Sequence, residues 1–139
     1  MIYRYSKVLT STGTDYTYYF EAQDAYNAFA TGTPTSELGA PAVTNAVPTL
    51  DWTGETNYTI DGLNPESGDR SIPFVFRVKY SDADNDAPAS GYPKLHIKKG
   101  GTEISGSPFA MGFISSTTYV AGAVYAYSKV LTSTGTDYT

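Results

Sequence analysis

The sequence predicts an all-β fold of the antiparallel sandwich type, and three observations carry that expectation. Only 17% of the residues are charged, while 13 Tyr and 6 Phe stand among Ser and Thr throughout, a composition that favours short strands over helices. The 13 Gly and 8 Pro interrupt the chain at short intervals, so turn signals recur every ~8–12 residues. Several segments alternate with period two, and none carries a 3.6-residue apolar period.

Taken in order, Tyr3 to Leu9 and Asp15 to Ala22 read as two strands joined by Thr10-Ser-Thr-Gly-Thr14. The second places Tyr16, Tyr18, Phe20 and Ala22 on one face and Thr17, Tyr19 and Glu21 on the other. Asp24-Ala-Tyr-Asn27 is a turn, and Ala28 to Thr31, with Phe29, a closing strand. Gly32 to Val47, rich in Thr, Pro and Gly, reads as a linker. Thr49 to Thr53 and Asn57 to Ile60 are short strands before the turn cluster Asp61 to Asp69. The clearest strand is Ile72 to Tyr80, where Phe74, Phe76, Val78 and Tyr80 alternate with Val75, Arg77 and Lys79. After the Asp/Asn/Pro/Gly loop from Ser81 to Gly91, Leu95 and Ile97 alternate with Lys94, His96 and Lys98. Thr102 to Ser105, Pro108 to Ile114 and Tyr119 to Leu131 complete the strands.

The thirteen residues Tyr5-Ser-Lys-Val-Leu-Thr-Ser-Thr-Gly-Thr-Asp-Tyr-Thr17 return unchanged as Tyr127 to Thr139. Chance does not produce that, so the chain is one period of a repeat of about 122 residues plus a short overlap. The first copy runs on into Tyr18-Tyr-Phe-Glu-Ala-Gln-Asp24, whereas the second stops in mid-pattern. The phase divides the chain into terminal strands of one module (1–31), a linker (32–47) and a second, incomplete module (48–139).

A net charge of −5 leaves no basic stripe for phosphates and argues against a nucleic-acid partner. The chain has no Cys, which removes disulfides and thiolate metal sites. No run approaches ~18 apolar residues, so membrane insertion is not expected, and the start at Met1 has no signal-peptide core.

Three stretches carry a resemblance: Pro48-Thr-Leu-Asp-Trp-Thr-Gly-Glu55, Phe76-Arg-Val-Lys-Tyr-Ser-Asp-Ala-Asp-Asn-Asp-Ala-Pro88, and Gly13-Thr-Asp-Tyr-Thr-Tyr-Tyr-Phe-Glu-Ala-Gln-Asp24. They resemble the tandem immunoglobulin/fibronectin-type-III-like modules of large prokaryotic surface and secreted proteins. Asp15-Tyr16-Thr17-Tyr18 is similar to the tyrosine corner of immunoglobulin-like (Ig-like) folds. The resemblance implies an Ig-like sandwich, an extracellular or cell-surface setting, and a structural or adhesive role rather than one activity. It also implies that residues 48–139 hold strands A to E and part of F, and that residues 1–31 hold the end of E with F and G. Each module then lacks what the other carries. Tyr16, Tyr18, Phe20, Ala22 and Phe29 would form a strand-donation interface. The sixteen-residue linker could span up to ~50 Å at ~3.3 Å per residue. Closure within the chain, head-to-tail donation to another copy and completion by an adjacent repeat are all open on this reading.

Asp82, Asp84 and Asp86 offer the hard oxygen donors that Ca²⁺ selects, although the Gly of an EF-hand loop is missing. In an Ig-like sandwich Asp24 would stand at the same pole and complete the group. The plain alternative is an Asp/Asn turn made for backbone reasons. Exposed Trp52, Tyr19 and Tyr26 could instead stack on sugar rings, which gives a polysaccharide-binding adhesion module as the rival function. His96, the single histidine, alternates outward between Lys94 and Lys98. Neither a serine-type triad nor a cleft with paired carboxylates is visible, and no enzyme is expected.

Overall fold

Alternation along 72–80 becomes β5, the nine-residue strand Pro73–Ser81 on which the larger part of the molecule is built. The computed structural model of the chain describes residues 1–115 and 118–139. In chain order its strands are β1 (Thr17–Tyr18), β2 (Leu38–Gly39), β3 (Thr49–Asp51), β4 (Leu63–Asn64), β5, β6 (Lys94–Leu95), β7 (Lys98–Lys99), β8 (Thr102–Glu103), β9 (Phe109–Ala110), β10 (Gly112–Phe113) and β11 (Ala123–Val130). Every pairing is antiparallel. A 3₁₀ turn covers Thr33–Thr35, and there is no α-helix among the described residues. The chain forms two units, Met1–Asn45 and Ala46–Thr139.

In the second unit the main sheet runs β10-β11-β5-β3, with β4 also on the β3 side of β5. β5 and β11 pair from Pro73 opposite Val130 to Tyr80 opposite Ala123. That register puts Tyr80, Val78 and Phe76 on one face with Ala123, Tyr125 and Tyr127, so cross-strand pairs are already the core. Tyr80, Met111, Ala123 and Tyr125 are its buried centre, and Phe76, Val78, Leu95, Tyr119 and Tyr127 pack around them. Tyr80 meets Tyr119 and Tyr125 edge to face, and Phe109 stacks on Tyr127 at 4.7 Å between ring centroids. Leu95 belongs to the smaller pair β6–β9, which packs on this core through Leu95 and through Phe109 on Tyr127 in a sandwich-like arrangement, while β7–β8 forms a further two-stranded pair.

Two expected strands of this unit take other forms. Residues 57–60 are turn and bend, with Asn57 in the left-handed region (φ 70) and Tyr58 buried beneath the Arg77 guanidinium, 4.8 Å from its ring centroid. The strand over Lys94 to Lys98 breaks at His96–Ile97 because Ile97 changes partners: its N–H donates to the Ser107 hydroxyl and its carbonyl accepts from Ile104.

The first unit is a long hairpin. Gly13 bridges Val43, β1 pairs with β2, Phe20 N–H donates to the Pro34 carbonyl and Ala30 N–H to that of Ala22. Asp24 and Asn27 make the tip, where the Asp24 carboxylate accepts the N–H groups of Tyr26 and Ala28 at 2.8 and 2.9 Å. The stretch 32–47, expected as a linker, therefore supplies the second arm as far as Val43, because Leu38–Gly39 satisfies one edge of β1.

Tyr3 to Leu9, expected as a strand, forms none. The identical residues Tyr127 to Val130 lie in β11, held by Phe76 to Pro73. In the first copy no strand stands opposite among the described residues, and Tyr5 and Val8 are 89% and 79% exposed. Strand formation here is a property of the partner rather than of the sequence. The local part of the repeat is indifferent to this: Tyr16 Oη donates to the Ser11 carbonyl at 2.6 Å, and Tyr138 Oη to that of Ser133 at 2.8 Å.

Candidate assembly edge and acidic loop

The repeated segment is bonded through one edge in each unit, and the two edges are opposite. In the second unit Thr139 N–H donates to the Lys98 carbonyl at 2.9 Å, Lys98 N–H to that of Thr139 at 2.6 Å, and Gly100 N–H to that of Asp137 at 3.0 Å. In the first unit the Tyr16 carbonyl accepts from Ala40 and Tyr18 stands opposite Leu38. Main-chain groups alternate sides along an antiparallel strand. Positions equivalent to 15 and 17 therefore face β7 in the second unit, and positions 16, 18, 20 and 22 face the second arm in the first.

The Lys99 ammonium fixes the end of the chain by pairing with the Asp137 carboxylate, and lies 5.2 Å from the Tyr138 ring centroid. That hydrogen bond holds the Asp137 carboxyl below its ordinary range. Glu103 is held low first by the Ser107 hydroxyl and then by His96, whose Nδ1 lies 2.8 Å from Oε1. Carboxyls lowered by folding stabilise above their unfolded pKa of about 4, and lose that contribution as pH falls through the folded values. The melting temperature of the chain is thus expected to drop below about pH 4, and a pH series on Lys99→Met should show a shallower acid limb.

The side chains of the expected donation interface are largely uncovered. Tyr16 is half-buried, Ala22 is exposed, and Phe20 and Phe29 are each 63% exposed. Tyr18 and Phe20 touch edge to face at 5.9 Å. In the second unit an apolar groove of about 280 Å³ opens between the sheets, lined by Leu50, Trp52, Phe76, Val78, Leu95 and Met111 among others.

No family model, no curated protein and no solved structure matches the chain. Among the described residues no helix is long and apolar enough to cross a membrane.

Asp82, Asp84 and Asp86 are brought together, with carboxylate oxygens within 4.8 Å of one another. Asp82 is 3% exposed, and its Oδ1 accepts the N–H groups of Asp84 at 2.9 Å and Asp86 at 3.1 Å. Asp84 Oδ2 accepts from Ala46 N–H at 2.6 Å. The loop is thereby folded around Asp82, whose burial the run of acidic and small residues did not reveal. Asp24, expected as a fourth ligand, belongs to the first unit, where it builds the hairpin tip. The aromatic residues considered for sugar stacking are likewise divided, Trp52 in the second unit and Tyr19 and Tyr26 in the first, all exposed. Sequence reading also passed over Lys99, whose partner Asp137 is far off in the chain.

Proposed function

We propose that this chain is a non-enzymatic structural module with Ig-like strand topology, and that copies join by strand complementation into a head-to-tail filament. The observation that carries the proposal is the repeated segment itself, bonded to Lys98–Gly100 through one edge and to the second hairpin arm through the other. A strand using both edges at once would join the two arrangements in one sheet.

Strand order supports the topology. The sequence β3-β5-β11-β10 follows the A-B-E-D order of a constant-type immunoglobulin sheet. On the same lettering β7 is C, Asp137 to Thr139 begins F, and the first-unit hairpin is F and G. An extracellular or cell-surface setting rests on the resemblance described above.

Connection length favours donation between chains. A hairpin laid along β6 and β7 in the register of Asp137–Thr139 would end, at Val43, roughly 27 Å along the strands from the level of Lys94, near which Thr49 lies. Only Thr44 to Pro48 connect Val43 to Thr49, a reach of about 20 Å. The hairpin arm has consumed the slack that a sixteen-residue linker would have offered.

The proposal includes Ca²⁺ on the Asp82–Asp86 loop as a stiffening element, because three carboxylates converge there. Light scattering after size exclusion, with negative-stain images, should show oligomers that lengthen with concentration. Monomers alone at the highest concentrations would overturn the assembly. A melting temperature that does not respond to Ca²⁺ or EDTA would remove the ion.

A further inference from the structure

We infer that the acceptor site is the open edge at Lys94 and His96 with the groove beneath it, and that it takes the first-unit hairpin of a second copy in one register. The inference rests on the strand-complementation reading and specifies its interface.

The register is set by bonds already present. Lys98 is doubly bonded to Thr139, and Lys99 bridges Tyr138. On the other side of the same strand, Pro93 accepts from Met111, Leu95 stands opposite Phe109, and Ile97 is bonded to Ile104 and Ser107. By alternation the main-chain groups of Lys94, His96 and Lys98 face one edge together, and among the described residues a strand occupies it only at Lys98. Thr139 is equivalent to Thr17. Continuing that ladder sets Tyr18 beside Ile97, Tyr19 beside His96, Phe20 beside Leu95 and Glu21 beside Lys94.

Three independent features agree with this placement. The hairpin bonds its own second arm through Tyr16, Phe20 and Ala22, which leaves the edge of Thr17, Tyr19 and Glu21 for the acceptor. The apolar residues Tyr18 and Phe20 fall on the side of Leu95 and Ile97, over the groove lined by Phe76 and Val78. The outward positions bring Glu21 against Lys94, an opposite-charge cross-strand pair. A slip of one residue would lose all three at once, turning Phe20 to water and Glu21 inward.

Occupied positions are no obstacle. Asp15 to Thr17 of the incoming copy would replace Asp137 to Thr139 with the same residues, so contacts with Lys99 are exchanged like for like. What the complex adds to that exchange is the run Tyr18 to Glu21 laid along Ile97 to Lys94.

The absence of native cysteine allows a direct test on the full-length chain. Glu21→Cys and Lys94→Cys chains are mixed under mild oxidation, and the heterodimer is compared with that from Glu21→Cys and Lys98→Cys. Paired positions satisfy disulfide geometry while an offset of four residues, ~13 Å, does not, so the first mixture should cross-link at least about tenfold faster. Equal rates in chains that still self-associate would overturn this register and leave the complementation reading standing. Chains that stay monomeric and do not cross-link would overturn both.

Discussion

Tyr125→Ala is expected to lower the melting temperature of the second unit by about 15–25 °C, a loss of about 3–5 kcal/mol. Tyr125 is 6% exposed, stands opposite Val78 in the central pairing, and holds Tyr80 and Phe113 in ring contacts at 6.5 and 5.5 Å. Its removal opens a cavity in the middle of the cluster that ties β5 and β11 to Met111 and Leu95. Neighbours cannot collapse into that space without breaking the eight-residue ladder behind it. Tyr125→Phe keeps the ring and should cost less than about 1.5 kcal/mol. Burial raises the Tyr125 phenol pKa, so spectrophotometric titration should show a tyrosine ionising later than the rest until the chain unfolds. A thermal shift under ~5 °C for Tyr125→Ala would mean that the cluster is not the core.

Asp82→Ala should destabilise the same unit by about 2–4 kcal/mol even in EDTA, and by more in Ca²⁺. Its Oδ1 is the acceptor for two main-chain N–H groups, those of Asp84 and Asp86, in a site closed to solvent. Removing a charged acceptor leaves both donors unmatched, whereas Asp82→Asn keeps an oxygen in place and should lose roughly half as much. Calorimetry in EDTA and in excess Ca²⁺ separates the two roles of this carboxylate. Equal losses would identify it as the frame of the loop alone. A loss seen in Ca²⁺ alone would assign its whole effect to an ion.

The repeat explains how far the fold can be read before a structure is seen. β5 was legible because Phe74, Phe76, Val78 and Tyr80 alternate with Val75, Arg77 and Lys79 over a length that only a strand explains. Asp82 was legible as chemistry but not as a buried residue, since its surroundings come from far along the chain, as where its N–H donates to the Tyr119 carbonyl. The second hairpin arm was illegible for a related reason. Leu38, Gly39 and Val43 have no pattern of their own and acquire strand geometry from β1 and Gly13. Tyr5 to Val8 and Tyr127 to Val130 set the limit, because one tetrapeptide is a ladder in one place and uncovered chain in the other. No rule applied to those four residues alone could return both answers. Asp24, Tyr19 and Tyr26 belong to the first unit and Trp52 and the acidic loop to the second, a division that no local pattern around those residues announces.

The closure of Tyr16 on Ser11, repeated by Tyr138 on Ser133, joins residues only five apart. So short a loop loses little entropy on closing and needs no sheet around it. A polypeptide emerging from the ribosome could fasten this clip in every period before the distant strands exist, presenting the residues that follow in a conformation already prepared to pair. In an array of such periods, slow long-range contacts would then begin from many equivalent seeds rather than from one.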